Sequence, residues 1–201
     1  GGIMENEEKS IKRVDKRPAS LYSVIIFILV FTIGYFIYPQ ISLYLPIPGI
    51  KLTVKTAYQP ASVEDMLDAE YIVAATVSGR GKIVSNQLAD NNIEVYTPVE
   101  FTPVTVLKGS VSDVFTLPQY GGNALFQGTK SQRAQKYSVV YPNAAEFENG
   151  KTYLLFIDEN RNVMNGKYGA IERAENGTFT DFFGNTYTIE QLQELIREGS
   201  K

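Results

Sequence analysis

The chain has 201 residues, a formal net charge of −3 and no cysteine, histidine or tryptophan. The absence of cysteine and histidine excludes disulfide bonds, thiol nucleophiles, Ser-His-Asp triads and ordinary zinc sites. The positive charges do not gather into a basic footprint, so nucleic acid is not expected as a partner. We predict no cofactor and no catalytic residue.

The first predicted element is an apolar helix near the amino terminus. Residues 21–38 carry no charge, and the next charged side chain is Lys51. About 20 apolar residues are needed to cross a bilayer, whereas a secretory signal has a shorter apolar stretch and a cleavage site of small residues. We therefore predict a retained transmembrane anchor over residues 21–45. The alternative is a buried helix of a soluble core.

The flanks of this helix predict its orientation, because basic residues next to a membrane helix stay in the cytoplasm. Five basic residues precede the helix, at Lys9, Lys12, Arg13, Lys16 and Arg17, whereas none follows it before Lys51. We predict a cytoplasmic tail (residues 1–20), a linker (46–61) and one extracytoplasmic domain (62–201) of a single-pass cell-membrane protein. An external domain without cysteine favours the surface of a single-membrane, Gram-positive bacterium over an animal secreted protein.

The external domain begins with a short helix and two strands. Ser62 is a helix cap for residues 62–67, and residues 71–77 are rich in β-formers. Residues 93–107 alternate as one long strand. Its two prolines, Pro98 and Pro103, belong at an edge or a bulge because they cannot donate to a ladder. Such a long, interrupted strand is typical of one that bends around a small barrel.

The rest of the domain reads as further strands and a final helix. We predict a strand over 111–117, a long polar loop over 123–138, and a central strand over the apolar run 152–157. Thr188 and Gln191 form a capping-box pattern before a helix. The apolar face of that helix consists of Ile189, Leu192, Leu195 and Ile196.

Four short motifs in this order resemble a known family. They are Ala69-Glu70-Tyr71, Val106-Leu107-Lys108-Gly109, Gly121-Gly122 and Gly150-Lys151-Thr152-Tyr153-Leu154-Leu155-Phe156. Over residues 62–172 the chain resembles small bacterial surface domains related to the netrin-like and tissue-inhibitor-of-metalloproteinases group. The resemblance implies a five-stranded OB-like barrel. The animal inhibitors block their target metal with an amino-terminal cysteine, which this chain lacks, so that activity is not carried over.

The predicted fold is therefore mainly β: an OB-like small barrel with a short amino-terminal helix and a carboxyl-terminal helix, preceded by one transmembrane helix. The candidate partner-binding surface is the loop over residues 123–141. Its basic side chains would contact teichoic acid, lipid headgroups or a protein, and its aromatic side chains would grip a glycan or a peptide if exposed. An ordinary solvated loop with buried aromatic anchors is the alternative. The candidate residues are Tyr120, Phe126, Lys130, Arg133, Lys136, Tyr137 and Tyr141.

Two acidic patterns have plainer interpretations. Asp158-x-Asn160-x-Asn162 begins like a calcium loop, but Val163 and Gly169 stand where that loop needs glycine and glutamate, so a turn is favoured. Glu94 and Glu100 share one face of a strand, and at about 3.3 Å per residue they lie too far apart for glycoside hydrolysis.

These observations favour a non-enzymatic binding or assembly module at a bacterial cell surface, with a protein partner in the membrane or envelope. The first alternative is an inhibitor or regulator of a surface hydrolase, by analogy with the netrin-like group. A hydrolase that uses carboxylate or Ser/Lys chemistry ranks last, because no nucleophile motif is present.

Overall fold

The structure, a computed structural model, describes residues 19–42, 49–87, 93–126 and 135–199. The helices are α1 (Ala19–Ser42) and α2 (Ile189–Gly199), with short 3-10 helices at Glu64–Met66 and Gly166–Gly169. The strands are β1 (Ile50–Thr53), β2 (Tyr71–Arg80), β3 (Val84–Gln87), β4 (Ile93–Lys108), β5 (Phe115–Tyr120), β6 (Gly122–Phe126), β7 (Gln135–Val140), β8 (Thr152–Ile157), β9 (Ala170–Glu172), β10 (Phe179–Thr180) and β11 (Thr186–Tyr187). The chain is mainly β and has the predicted carboxyl-terminal helix.

The apolar amino-terminal run folds as helix α1. The described side chains of α1, at positions 22–38, are all exposed. Over the residues that the structure describes, no helix is long and apolar enough to cross a membrane. The predicted anchor therefore stays a prediction. Most of the predicted tail, residues 1–18, lies outside the described residues.

The main sheet is built on β2 and β8, whose side chains are buried on both faces. The strand order is β3-β4-β2-β8-β9, and β5 pairs with β4. β8 coincides with the predicted central strand and lies between β2 and β9. A hydrophobic core covers each face of the sheet. Helix α2 packs on one of these cores through buried Leu192, with Ile189, Leu195 and Ile196 half-buried beside it.

The pairing of the long strand β4 is irregular at one of its two prolines. Pro98 lies opposite Pro118 of β5, and Pro103 lies opposite Ala75 where the register with β2 shifts. One edge of β4 pairs with β3 over residues 93–96 and with β2 over residues 99–108. The other edge of β4 pairs with β5, over residues 96–101.

The predicted closed barrel is not found in the described part of the chain. β5 lies at one side of the main sheet, on β4, and β9 lies at the other, on β8, and no pairing joins them there. The predicted strand over 111–117 is also wrong in its bounds, because β5 begins at Phe115. The residues before it make a turn in which Ser112 Oγ donates to the carbonyl oxygen of Val114 at 2.9 Å. The main sheet is therefore open beside β5.

A second sheet, with the order β1-β7-β6, corrects the predicted loop and includes one strand from the predicted linker. The predicted loop over 123–138 contains β6 and β7, which pair antiparallel, and only 127–134 within it lies outside the described residues. The predicted linker contains β1, which pairs parallel with β7. The stretch reads as polar because only one face is buried: Ala124, Phe126 and Val139 pack on Val95 of β4.

Candidate functional site

The predicted candidate residues do not form one surface. Lys130 and Arg133 lie outside the described residues. Phe126 is buried and contacts the ring of Tyr137 at a centroid distance of 5.7 Å, and both pack in the core of the second sheet. Lys136 lies on β7 and is half-buried. In the described part of the predicted loop, Phe126 and Tyr137 are thus core anchors, as in the alternative interpretation, and do not form an exposed aromatic surface.

Tyr141 packs against the same core and also contacts the remaining candidate, Tyr120. Their ring centroids are 5.3 Å apart, and Tyr96 lies 6.1 Å from Tyr120. Tyr58 approaches the same place from the segment after β1. We call this depression, lined by Tyr58, Tyr96, Tyr120 and Tyr141, the tyrosine groove.

Two of the four tyrosines, Tyr58 and Tyr96, are not among the residues predicted from the sequence. Tyr96 had a usable signal, because it shares the outer face of β4 with Glu94 and Pro98 by strand alternation. Tyr58 has no such signal in the sequence, because only the tertiary fold brings its ring over Gly166. A Cβ added at Gly166 would lie 2.8 Å from Cδ2 of Tyr58 and 2.3 Å from the carbonyl oxygen of Asn143, so this close approach requires glycine.

The tyrosine groove has two lobes, which share Tyr120 and Asn162. The first lobe encloses about 440 Å³ between the outer face of β4 and β5 and the turn at 160–162. The second encloses about 520 Å³ between residues 54–58 and the segment 158–165. The phenol of Tyr120 donates to Asn162 Oδ1 at 2.9 Å, and this hydrogen bond divides the two lobes.

The turn after β8 forms one wall of the groove and is internally hydrogen-bonded. Asp158 Oδ1 accepts from the Asn162 amide at 2.8 Å, and the Asp158 amide donates to the Asn162 carbonyl oxygen at 2.9 Å. Arg161 adopts a left-handed φ of 60° between them. The predicted turn is confirmed. Among the described residues, no group of three or more acidic side chains is placed to hold a metal ion.

The other wall is fixed by Tyr141. Its hydroxyl donates to the carbonyl oxygen of Ile93 at 3.2 Å and accepts from the amide of Val95 at 3.4 Å. These bonds hold the ring against the start of β4, where the strand leaves β5. The ring faces, rather than the hydroxyl groups of Tyr120 and Tyr141, are therefore what the groove offers to a ligand.

Burial raises the pKa of three of the groove phenols. It raises the pKa of Tyr120 to about 12, with smaller contributions from the charge of Glu94 and the neighbouring tyrosines. Burial likewise raises the pKa of Tyr58 and of Tyr141. Neutral phenols and ring faces suit binding through stacking and hydrogen bonds rather than proton transfer at neutral pH.

A second feature is the hairpin that joins β10 to β11, which we call the phenylalanine hairpin (residues 181–185). Phe182 and Phe183 are 60% and 59% exposed. Tyr168, from the 3-10 helix that begins at Gly166, contacts the ring of Phe182 at 5.0 Å. The hairpin therefore presents two apolar rings on the far side of the helix that supports Tyr58.

No protein-family model matches the chain, and no curated protein matches it. Function is therefore inferred from these two surfaces and from the sequence.

Proposed function

We propose that the protein is a membrane-anchored, non-enzymatic binding or assembly module, and that its mainly β domain binds a membrane or envelope protein through the tyrosine groove. The observation that carries the proposal is the convergence of Tyr58, Tyr96, Tyr120 and Tyr141 from four separate segments at one groove. Tyrosine supplies a large, rigid and amphipathic contact area at low entropic cost, which is why it is enriched at binding surfaces.

The anchor in this proposal is the apolar run over residues 21–45, as predicted from the sequence. Crossing a bilayer's hydrocarbon core requires about 20 apolar residues. None of these residues is charged, and five basic side chains precede the helix. The tail would then be cytoplasmic and the β domain extracytoplasmic, as on the surface of a single-membrane bacterium.

The resemblance to the netrin-like group bears on the fold in this proposal and not on the activity. The strands β5, β4, β2, β8 and β9 follow one another across the main sheet. Five strands in an unclosed arrangement are compatible with an OB-like barrel, which is only partly closed in many proteins. Strand order does not by itself assign function.

The test is photo-crosslinking in intact cells. A photo-reactive residue replaces Tyr58 in the groove or, as a control, the exposed Glu175 in the turn between β9 and β10. We expect one dominant envelope protein to be captured from position 58 and not from position 175. Equal capture patterns from both positions, or no capture from position 58, would contradict the groove as the binding surface.

The phenylalanine hairpin favours a second candidate, an inhibitor of a surface hydrolase. An inhibitor needs an ordered, protruding loop that enters a cleft, and the two exposed rings on this hairpin have that form. Replacing both Phe182 and Phe183 by serine should then raise hydrolase activity at the cell surface while leaving capture from position 58 unchanged. Unchanged hydrolase activity would argue against this candidate.

A further inference from the structure

We propose that the ligand of the tyrosine groove is an extended polypeptide segment that pairs with the free edge of β5 and adds a strand to the main sheet. This inference rests on the proposed function and names the chemistry of its partner. Extended peptides bind exposed sheet edges through main-chain hydrogen bonds, with pockets for alternate side chains.

The register between β4 and β5 determines which backbone groups of β5 point outward. Opposed residues in an antiparallel pair alternate between hydrogen-bonded and non-hydrogen-bonded pairs. Pro98 faces Pro118, and two prolines cannot exchange amide hydrogen bonds, so this is a non-hydrogen-bonded pair. The carbonyl oxygen of Pro98 indeed points away from β5, because it accepts from the Gly81 amide at 2.8 Å on the opposite edge of β4.

The backbone groups of Thr116, Pro118 and Tyr120 therefore point away from β4. Thr116 and Tyr120 each present an amide and a carbonyl, and Pro118 presents a carbonyl alone. Within the described part of the chain, none of these groups has a backbone partner on the outward side. The edge thus offers two donors and three acceptors at strand spacing.

The first lobe of the groove lies beside this edge, over the outer face that β5 shares with β4. It is lined by Thr116, Pro118 and Tyr120 of β5, by Glu94, Tyr96 and Pro98 of β4, and by the turn at 160–162. A small apolar cavity of about 20 Å³ extends the same opening past Phe115 towards Ile157. At this opening, β5 has no neighbouring strand on its outward edge within the described residues, so an added strand would extend the main sheet.

The periodic backbone groups favour a polypeptide over a glycan. A strand carries an amide donor and a carbonyl acceptor at every second residue on one edge, which matches the pattern of the β5 edge. Its alternate side chains would lie beside Thr116, Pro118 and Tyr120 on the outer face, so we expect apolar or aromatic residues at alternate positions of the bound segment. Because Pro118 has no amide, two copies of this edge could not make every ladder hydrogen bond. This weakens pairing of the protein with a second copy of itself through β5.

The test uses the full-length protein in detergent and a phage-displayed library of random peptides about ten residues long, the upper range of natural strands. We expect selected peptides to share apolar residues at alternate positions. Synthetic versions of them are then titrated against two variants of one residue. Thr116→Pro removes the outward amide without touching the β4 ladder, whereas Thr116→Val changes the side chain and keeps that amide.

We expect Thr116→Val to bind like the wild type and Thr116→Pro to bind about tenfold more weakly, the effect of one lost hydrogen bond and a displaced neighbour. Because the proline variant can misfold, hydrogen exchange provides an independent readout on the unmodified protein. Bound peptide should slow amide exchange at Thr116 and Tyr120, whose amides point into the opening.

Three results would overturn the inference: no selected peptide, equal binding by both variants, or unchanged exchange at the two amides. Binding of an oligosaccharide that is lost in Tyr120→Ala but equal in the two Thr116 variants would also overturn it, while leaving the groove as a binding surface. Failure of crosslinking from position 58 would instead overturn the proposed function.

Discussion

Asp181 shows how a single side chain fixes a surface feature of this protein. It is 5% exposed and is the one buried polar or charged residue among the residues described. Its Oδ1 accepts from the amides of Phe183 and Asn185, each at 2.9 Å, and its Oδ2 accepts from Asn185 Nδ2 at 3.1 Å. The exposed phenylalanine rings are thus held by a carboxylate whose lone pairs are largely used.

Replacing Asp181 by alanine should therefore destabilise the fold. The two amides would lose their acceptor, and the expected loss is about 1–3 kcal/mol of unfolding free energy. The measurement is urea unfolding of the full chain followed by the near-ultraviolet circular dichroism of its tyrosines.

Asn176 is the matched control, because its side-chain oxygen accepts from the Thr178 amide at 3.1 Å in a similar but exposed turn. Asn176→Ala should cost less, since water replaces the lost acceptor there. A larger loss for Asn176→Ala than for Asp181→Ala would contradict this account of the hairpin.

At the scale of elements, helix α2 depends on its cap and on its docking. It has 11 residues, and an isolated helix of that length is marginal in water. The Thr188 amide donates to Gln191 Oε1 at 2.8 Å, and the Gln191 amide donates to Thr188 Oγ1 at 3.4 Å, which is the predicted capping box. Leu192 then packs between the helix and the sheet.

Removing the cap should loosen this helix. Thr188→Ala should lower the unfolding free energy by about 0.5–2 kcal/mol, the usual effect of losing a helix cap. Thr188→Ser retains the hydroxyl and should cost much less. Chemical denaturation of both variants makes the comparison, and equal losses would mean that the methyl group of Thr188, rather than its hydroxyl, carries the effect.

At the scale of the whole molecule, buried tyrosines make stability depend on alkaline pH. Burial is the main cause of the raised pKa values of Tyr58, Tyr120, Tyr141, Tyr153 and Tyr187. At Tyr187, Glu64 adds to the effect, because its Oε1 accepts a hydrogen bond from the Tyr187 hydroxyl at 2.9 Å. The folded state thus holds these protons more tightly than the unfolded chain, in which tyrosine titrates near 10.

The stability from these groups should be complete below pH 10 and should fall as the pH rises from 10 towards 12, because the unfolded state then releases protons that the folded state retains. Urea midpoints measured across this range provide the test, with tyrosinate absorbance as a direct titration. Tyr120→Phe should weaken the pH dependence. A midpoint that stays constant from pH 10 to 12 would contradict the sign of these shifts.

The sequence by itself determined the elements whose signals are local. Strand alternation, the apolar run of β8, the prolines of β4, the Asp158 turn and the Thr188–Gln191 cap each depend on near neighbours in the chain, and the structure has all of them. The mainly β class follows from the same patterns. The apolar run predicts a membrane anchor for the same local reason.

Only the tertiary structure decided how these elements close and where they meet. Whether β5 pairs with β9 to close a barrel depends on sheet curvature summed over many residues. No such pairing is found among the described residues. β6 and β7 looked like a loop because half of their side chains are polar, and burial against Val95 comes from a distant strand. Tyr58 and Tyr120 are far apart in sequence, so no local pattern could place them at one groove. A site made from separate segments is set by long-range packing, which a single sequence read along its length does not contain.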